Sequence, residues 1–354
     1  MLVYGRVWLD HYGVRRCVWL LLLFGCYSPN PQPGSPCANG ACPTPLVCSP
    51  ATQTCERESV DAAVTMTDTT VVDGCVPVDE VCGDGIDQDC DGQDPSCAAN
   101  DSGSGAVDVT GGGMFTGDLQ FAHDDVSASS CGGAGGRDLY YSVTLAQPRV
   151  YYFDTFGSSF NTVLRVYAGN CIAVAASSTA LACLDDACST PQSQLAVSLP
   201  AGDSCIVVDQ AAGTETTGMV NLKVVAGIRN GQPLPSGTST QSGNTSNASN
   251  VMDPSDVNCD SPGTGGNDRA YFFTRCPSQS LLLDAETCNG ATWDTVLYVR
   301  RGNTSQIACN DDGGCDFQSK LTNVAIDSGD LHWLVVDGFG PTENGSYTLL
   351  TNLR

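Results

Sequence analysis

Lysine is almost missing from this chain. Lys223 and Lys320 are the only two, and no Lys or Arg falls between Arg57 and Arg137. With 15 Lys+Arg against 39 Asp+Glu, the formal charge is −24. Nucleic acid, a polyanion that needs clustered basic side chains, is therefore a poorly matched partner. A divalent cation matches better. Histidine is nearly as scarce: of three, His11 lies near the N-terminus, while His123 and His332 stand outside any Ser or Cys nucleophile motif. His332 falls on a predicted strand and reads as a surface histidine. Neither His-Glu-x-x-His nor Gly-x-Ser-x-Gly occurs, so the sequence reads as non-catalytic. No segment has the periodicity of an amphipathic helix. The apolar run from Cys17 to Phe24 is far too short to span a bilayer as a helix.

What is abundant is turn-forming and crosslinking residues: 39 Gly, 18 Pro and 20 Cys in 354 residues. The cysteines lack zinc-type spacing, which points to disulfides and an oxidising compartment. The length leaves room for about two domains of roughly 100–200 residues each.

After a long opening stretch that includes Asp10, Arg15-Arg16 precede the apolar run and Leu23-Phe24-Gly25-Cys26 follows. This resembles a bacterial lipoprotein signal, although Phe24 is bulkier than that pattern prefers. The resemblance implies that residues 1–26 are removed or anchored, with Cys26 lipidated and the chain held on the outer membrane. Plain secretion is the alternative. Residues 27–74 form a Pro-rich tether, a stub with Cys37, Cys42, Cys48 and Cys55, and a polar linker. Four cysteines allow three pairings, and their spacing does not choose among them.

Residues 75–103 carry Cys82-Gly83-Asp84-Gly85-Ile86-Asp87-Gln88-Asp89-Cys90-Asp91-Gly92-Gln93-Asp94. Asp87, Asp89, Asp91 and Gly92 fall at positions 1, 3, 5 and 6 of a calcium loop, where alternate carboxylates wrap one ion and Gly permits the sharp turn. Asp84 and Asp94 flank them as further candidate ligands. Position 12 is Ala98, so the bidentate Glu is missing, and a purely structural acidic linker is the competing reading. The segment is similar to the metal-binding repeat of the MopE type. Copper prefers His or soft sulfur ligands, and these cysteines should be oxidised, so Ca²⁺ is the expected ion.

The rest of the chain is written twice, as residues 104–227 and 228–354. Asp138 answers to Asp268, Asp185 to Asp311, Gln192-Ser193 to Gln318-Ser319, and Val207-Val208-Asp209 to Val335-Val336-Asp337, all at offsets of 126 to 130. That period is too long for a solenoid repeat and indicates tandem domains. Short apolar runs between turns, such as Leu195, Val197 and Leu199 alternating with Ala196 and Ser198, predict strands with one buried face. The expected fold class is all-β: two tandem antiparallel β-sandwiches of seven to nine strands each, after a disulfide-rich, largely irregular N-terminal region. The order Gly-x-Asp-x-x-Tyr, Asp-Thr-Val-Leu, Cys-Asn-Asp-Asp and Val-Val-Asp resembles the bacterial pre-peptidase C-terminal domain. That resemblance implies a β-sandwich and a surface or substrate-attachment role.

Asp294, Asp311 and Asp312, with Asp337 nearby in the pattern, form a candidate cation site between loops. The competing reading is that these aspartates cap turns. Domain one has Asn161 where domain two has Asp294, so the second domain should hold an ion better. Cys131/Cys259, Cys183/Cys309 and Cys188/Cys315 are shared between copies. Cys171 and Cys205 are private to the first, Cys276 and Cys288 to the second, and each private pair is expected to form its own bridge. Cys171 with Cys183 is a competing local pairing. Five cysteines per domain leave one thiol free or bonded elsewhere. The expected function is exported surface binding or adhesion to a polysaccharide or protein. The alternative is an accessory or inhibitor partner of a secreted hydrolase.

Overall fold

The computed structural model describes residues 37, 41–42, 46–49, 53–57, 77–78, 80–126, 131–132, 135–175, 178–213, 218–255, 259, 263–288, 290–303, 305–313 and 315–354. Cys26 and its signal lie outside the described residues. The chain divides into two units, Met1–Gly74 and Cys75–Arg354.

In the first unit, β1 (Leu46–Cys48) pairs antiparallel with β2 (Cys55–Arg57). So small a ribbon has almost no core, and covalent bonds replace one. Cys37–Cys48 and Cys42–Cys55 interleave across it. Closing loops of this length removes about 3 kcal/mol of unfolded-chain entropy in a simple chain model.

Among the described residues, the second unit lays down nine strands and then nine more. The first nine are β3 (Val107–Asp108), β4 (Gly113–Asp118), β5 (Asp138–Leu145), β6 (Arg149–Asp154), β7 (Thr162–Ala168), β8 (Ala182–Leu184), β9 (Gln194–Leu199), β10 (Gly202–Gln210) and β11 (Met219–Ala226). The second nine are β12 (Gln232–Pro233), β13 (Gly237–Asn244), β14 (Arg269–Thr274), β15 (Leu281–Glu286), β16 (Thr295–Arg301), β17 (Ser305–Asn310), β18 (Lys320–Ile326), β19 (Leu331–Gly338) and β20 (Ser346–Leu353). In domain one the sheets run β3-β5-β10-β7-β8 and β4-β11-β6-β9; in domain two they run β12-β14-β19-β16-β17 and β13-β20-β15-β18. Every strand thus sits where its counterpart nine strands earlier sits. Pairing is antiparallel except at β3–β5 and β12–β14, where a two-residue strand runs parallel along an edge. The chain lies briefly on one sheet there before crossing to the other.

Leu139, Val143, Leu164, Ile206, Leu222 and their neighbours fill the first sandwich; Leu283, Leu297, Leu334, Val336 and Leu349 fill the second. Burying each such side chain contributes about 1.5–3 kcal/mol. The outward face of β6 is buried and that of β9 half-buried. Val150, Tyr152 and Ala196 pack against Phe272, Trp333 and Val335, on the outer face of domain two's five-stranded sheet. Trp333 is fully buried, its ring close to Gly227 and Gly231; a Cβ at either glycine would meet the indole at 2.9 Å. Gln194 Nε2 donates to the Arg275 carbonyl at 2.9 Å, and Lys223 pairs with Asp330 at 2.7 Å across the same junction.

The disulfides correct one expectation. Cys171–Cys205 forms as expected, and Cys131–Cys183 and Cys259–Cys309 are equivalent bridges in the two copies. Cys276 does not bond Cys288. It bonds Cys188 of domain one, and Cys288 bonds Cys315. The leftover cysteine of each domain is therefore used on the other, because the packed faces bring the Cys188 loop against the end of β14. All ten are paired.

Candidate functional site

Antiparallel pairing of β16 with β17, with Leu297 opposite Asn310, brings the start of one strand beside the end of the other. Asp294 precedes β16, and Asp311 and Asp312 follow β17, so the three meet at one tip of domain two. One ligand atom from each lies within 4.8 Å of the others. Asp294 Oδ1 and Asp311 Oδ1 are buried without a hydrogen-bond partner. Burial, reinforced by the Asp294 and Asp312 charges, pushes the Asp311 carboxyl up to about 6. Burial likewise raises that of Asp294, with Asp312 and Glu343 adding to it. An unpaired buried carboxylate oxygen is costly, and a cation is one way to satisfy it.

A buried hydroxyl cluster holds this tip in place. Thr287 Oγ1 and Thr295 Oγ1 lie 2.7 Å apart, and the Ser319 amide donates to both, at 3.2 and 3.1 Å. Ser319 Oγ contacts the carbonyls of Thr295 and Asp311, the latter at 2.7 Å. Domain one repeats the device with Thr155, Thr162 and Ser193, where Ser193 Oγ donates to the Asp185 carbonyl at 2.7 Å. The doubly written motif residues are thus the pins of the acidic loop. At the equivalent tip of domain one, Asn161 Oδ1 and Asp185 Oδ1 are likewise buried without a hydrogen-bond partner.

The two tips differ in what surrounds them. The Thr295 amide donates to the Phe317 carbonyl at 3.1 Å, and the Phe339 amide donates to that of Asp294 at 3.2 Å. Phe317 is 65% exposed and Phe339 37%. In domain one the same backbone bonds involve Pro191 and Ala211. Glu343, whose Oε2 accepts from the Asp294 amide at 3.1 Å, is a fourth carboxylate that sequence reasoning missed. Asp337 is not at this tip. It is buried with the Tyr298 hydroxyl at 3.2 Å, at the place where Asp209 pairs with Arg165 at 2.9 Å. Asp138 and Asp268 are buried clasps: Asp138 Oδ2 accepts from the Asp125 and Val126 amides, and Asp268 Oδ2 from those of Val251 and Met252.

The Asp87 loop is organised otherwise. Ligand atoms of Glu80, Asp87 and Asp89 converge within 4.8 Å. Glu80 was not a candidate from the sequence. The carboxylates, however, are largely engaged with backbone. Asp87 accepts from the amides of Asp91 at 3.1 Å and Gly92 at 2.8 Å, and Asp89 from that of Asp91 at 3.1 Å. Asp94 accepts from Gly83 and Gly85, each at 2.7 Å, Asp84 from Ile86 at 2.9 Å, and Asp91 from Gln93 at 2.8 Å. Asp84, Asp91 and Asp94 are thus outside the converging group. Cys82–Cys97 closes the loop.

His123 Nδ1 lies 2.7 Å from Asp101 Oδ2 and 3.8 Å from Cys97 Sγ. One nitrogen faces both groups, and the sulfur is bonded to Cys82, so this is no Cys-His-Asp relay. His332 is fully buried, contrary to the surface position expected. Its Nε2 faces the Ser328 carbonyl at 2.8 Å, and its ring stacks on Phe273 at 5.2 Å.

No protein-family model matches this chain, and no curated protein matches it. Among solved structures it is similar to the CUB1-EGF-CUB2 domains of rat MASP-1, at 7% identity over 70% of this chain and 99% of that one, with a TM-score of 0.21. A putative secreted protein from Eubacterium rectale matches at 12% identity over 68% and 73%, TM-score 0.19. A fucolectin from striped bass (Morone saxatilis) serum matches at 10% identity over 68% and 95%, TM-score 0.19. Superpositions this poor carry no weight for fold or function. The all-β architecture stands on the sheets themselves, and the disulfides mark an exported protein.

Proposed function

We propose that this chain is an exported, non-catalytic binding protein whose second domain holds Ca²⁺ at Asp294, Asp311 and Asp312 and presents Phe317 and Phe339 beside it to a polysaccharide or protein surface. The carrying observation is the convergence of Asp294, Asp311 and Asp312, two of which, Asp294 and Asp311, each keep a buried Oδ1 without a hydrogen-bond partner. Hard carboxylate ligands suit Ca²⁺, and few protein ligands place the site in the weak extracellular class, about 10⁻⁴–10⁻³ M. The Glu80, Asp87 and Asp89 group is a weaker second cation site, since backbone amides already occupy much of its oxygen. Anchoring to the bacterial outer membrane through Cys26 completes the reading and rests on the lipoprotein-like signal. Capture of the chain on bacterial polysaccharides, with Ca²⁺ and with EDTA, tests it. Retention that requires Ca²⁺ and falls in Phe317→Ala supports the reading; retention indifferent to both contradicts it. Palmitate labelling, lost in Cys26→Ser, tests the anchor separately.

A further inference from the structure

Domain two has a cleft of about 380 Å³ at the corner where β13, β14 and the residues before β12 meet. Arg229, Arg269, Gln241, Asn244, Tyr271 and Tyr347 are among its lining residues, and no carboxylate lines it among the described residues. In a chain of charge −24 that is a local reversal of sign. Arg229 is half-buried and pairs with Asp268, which fixes it as a wall. Arg269 is exposed and forms no ion pair among the described residues. Its Nε donates to the Asn244 carbonyl at 3.0 Å, which orients the guanidinium and leaves its terminal nitrogens for a ligand. The hydroxyls of Tyr271 and Tyr347, both buried residues, lie 2.9 Å apart and bond one another at the floor of the cleft.

Domain one provides an internal control, because the equivalent corner is closed. Leu139, fully buried, stands where Arg269 stands, and Val220 where Tyr347 stands. A Cβ at Gly117 would meet Leu139 Cδ1 at 2.5 Å; a Cβ at its counterpart Gly243 would meet the Tyr347 ring at 2.3 Å. One copy fills the corner with apolar side chains. The other lines it with a guanidinium, amides and phenols, a donor set for a hydroxylated anion.

We infer that this cleft is a binding site for a carboxylate-bearing sugar, a uronic acid unit of an acidic polysaccharide. The carboxylate pairs with the terminal nitrogens of Arg269 in the bidentate fork geometry that guanidinium favours. The ring hydroxyls meet Gln241 and Asn244, and the volume lies at the small end of ligand pockets, as a short saccharide requires. The site depends on the chain being a binding protein but not on its cation tip.

The test is calorimetric titration of the full chain with a galacturonate oligosaccharide in EDTA, against the same oligosaccharide with its carboxyls reduced. Binding of the acidic form alone is expected, falling at least about tenfold in Arg269→Leu, which installs the residue domain one uses, and less in Arg269→Lys, which keeps charge without the fork. Equal binding of the reduced form, or unchanged binding in Arg269→Leu with wild-type melting, overturns the inference. Because EDTA is present throughout, failure here leaves the Ca²⁺ reading standing, and loss of Ca²⁺ binding in Asp311→Asn leaves the cleft standing.

Discussion

Cys205 and Trp333 occupy one place in two copies of the same sandwich, each near the middle of the central strand of the five-stranded sheet. Cys205 stands opposite Ser142 and Tyr167, Trp333 opposite Phe272 and Arg300. In domain one the outer face of that sheet is covered by the chain's own loop, stapled by Cys171–Cys205 over Tyr140, Tyr167 and Val207. In domain two the same face is covered by domain one, with Trp333 buried against Gly227 and Gly231. A β-sandwich whose sheet is apolar on both sides must bury its outer face somewhere, and the two copies solve that problem in two ways. Duplication thereby frees the second copy's own loops to diverge, and its tip is where the carboxylates and exposed phenylalanines gather.

The comparison breaks most visibly at Trp333. Trp333→Ala removes a fully buried indole from the junction and should cost about 3–5 kcal/mol, read as a lower denaturation midpoint. A loss within about 1 kcal/mol would show the domains to be independently stable. The domain-one counterpart, Cys171→Ser with Cys205→Ser, should cost about 2–4 kcal/mol. It should also expose the loop after Cys171 to proteolysis while leaving the junction intact. Ser319→Ala and Ser193→Ala sharpen the likeness of the two tips. Each removes a buried hydroxyl donor and should cost about 1–3 kcal/mol, but only Ser319→Ala should also weaken Ca²⁺ binding.

The smallest expected effect belongs to His123. Its hydrogen bond to Asp101 raises its affinity for a proton in the folded state. The resulting stabilisation is fully present below the unfolded pKa of about 6.5 and is lost as pH rises through the higher folded value. Wild type and His123→Gln should therefore differ in melting temperature at pH 5.5 and converge at alkaline pH; a constant difference contradicts the assignment.

Much of the fold was legible because duplication repeats its landmarks and alternation marks strands: Leu195, Val197 and Leu199 do face the first core. The junction was not legible. Ala196 reads as solvent-facing, and Trp333 and His332 sit in a run that shows burial without showing against what. For the same reason the odd cysteines could not be assigned, since Cys188–Cys276 exists only once two faces meet. At the acidic segments, sequence shows carboxylates but not which oxygens their own backbone consumes. Asp87 and Asp94 cap amides, while Asp294 and Asp311 each keep a buried oxygen unpaired. Arg269 gave no signal, because its meaning lies in the leucine that holds its place in domain one.

The central claim is that the tips differ in holding a cation because Asn161 in one copy answers to Asp294 in the other. Its most direct test is Ca²⁺ titration calorimetry of the intact chain at pH 7.5, repeated at pH 5. The account predicts binding in the range of about 10⁻⁴–10⁻³ M, lost in Asp294→Asn and joined by a second site in Asn161→Asp. Binding should weaken at pH 5, where protons occupy Asp311, whose carboxyl titrates at about 6. Absence of heat at millimolar Ca²⁺, or binding indifferent to Asp294→Asn, contradicts it.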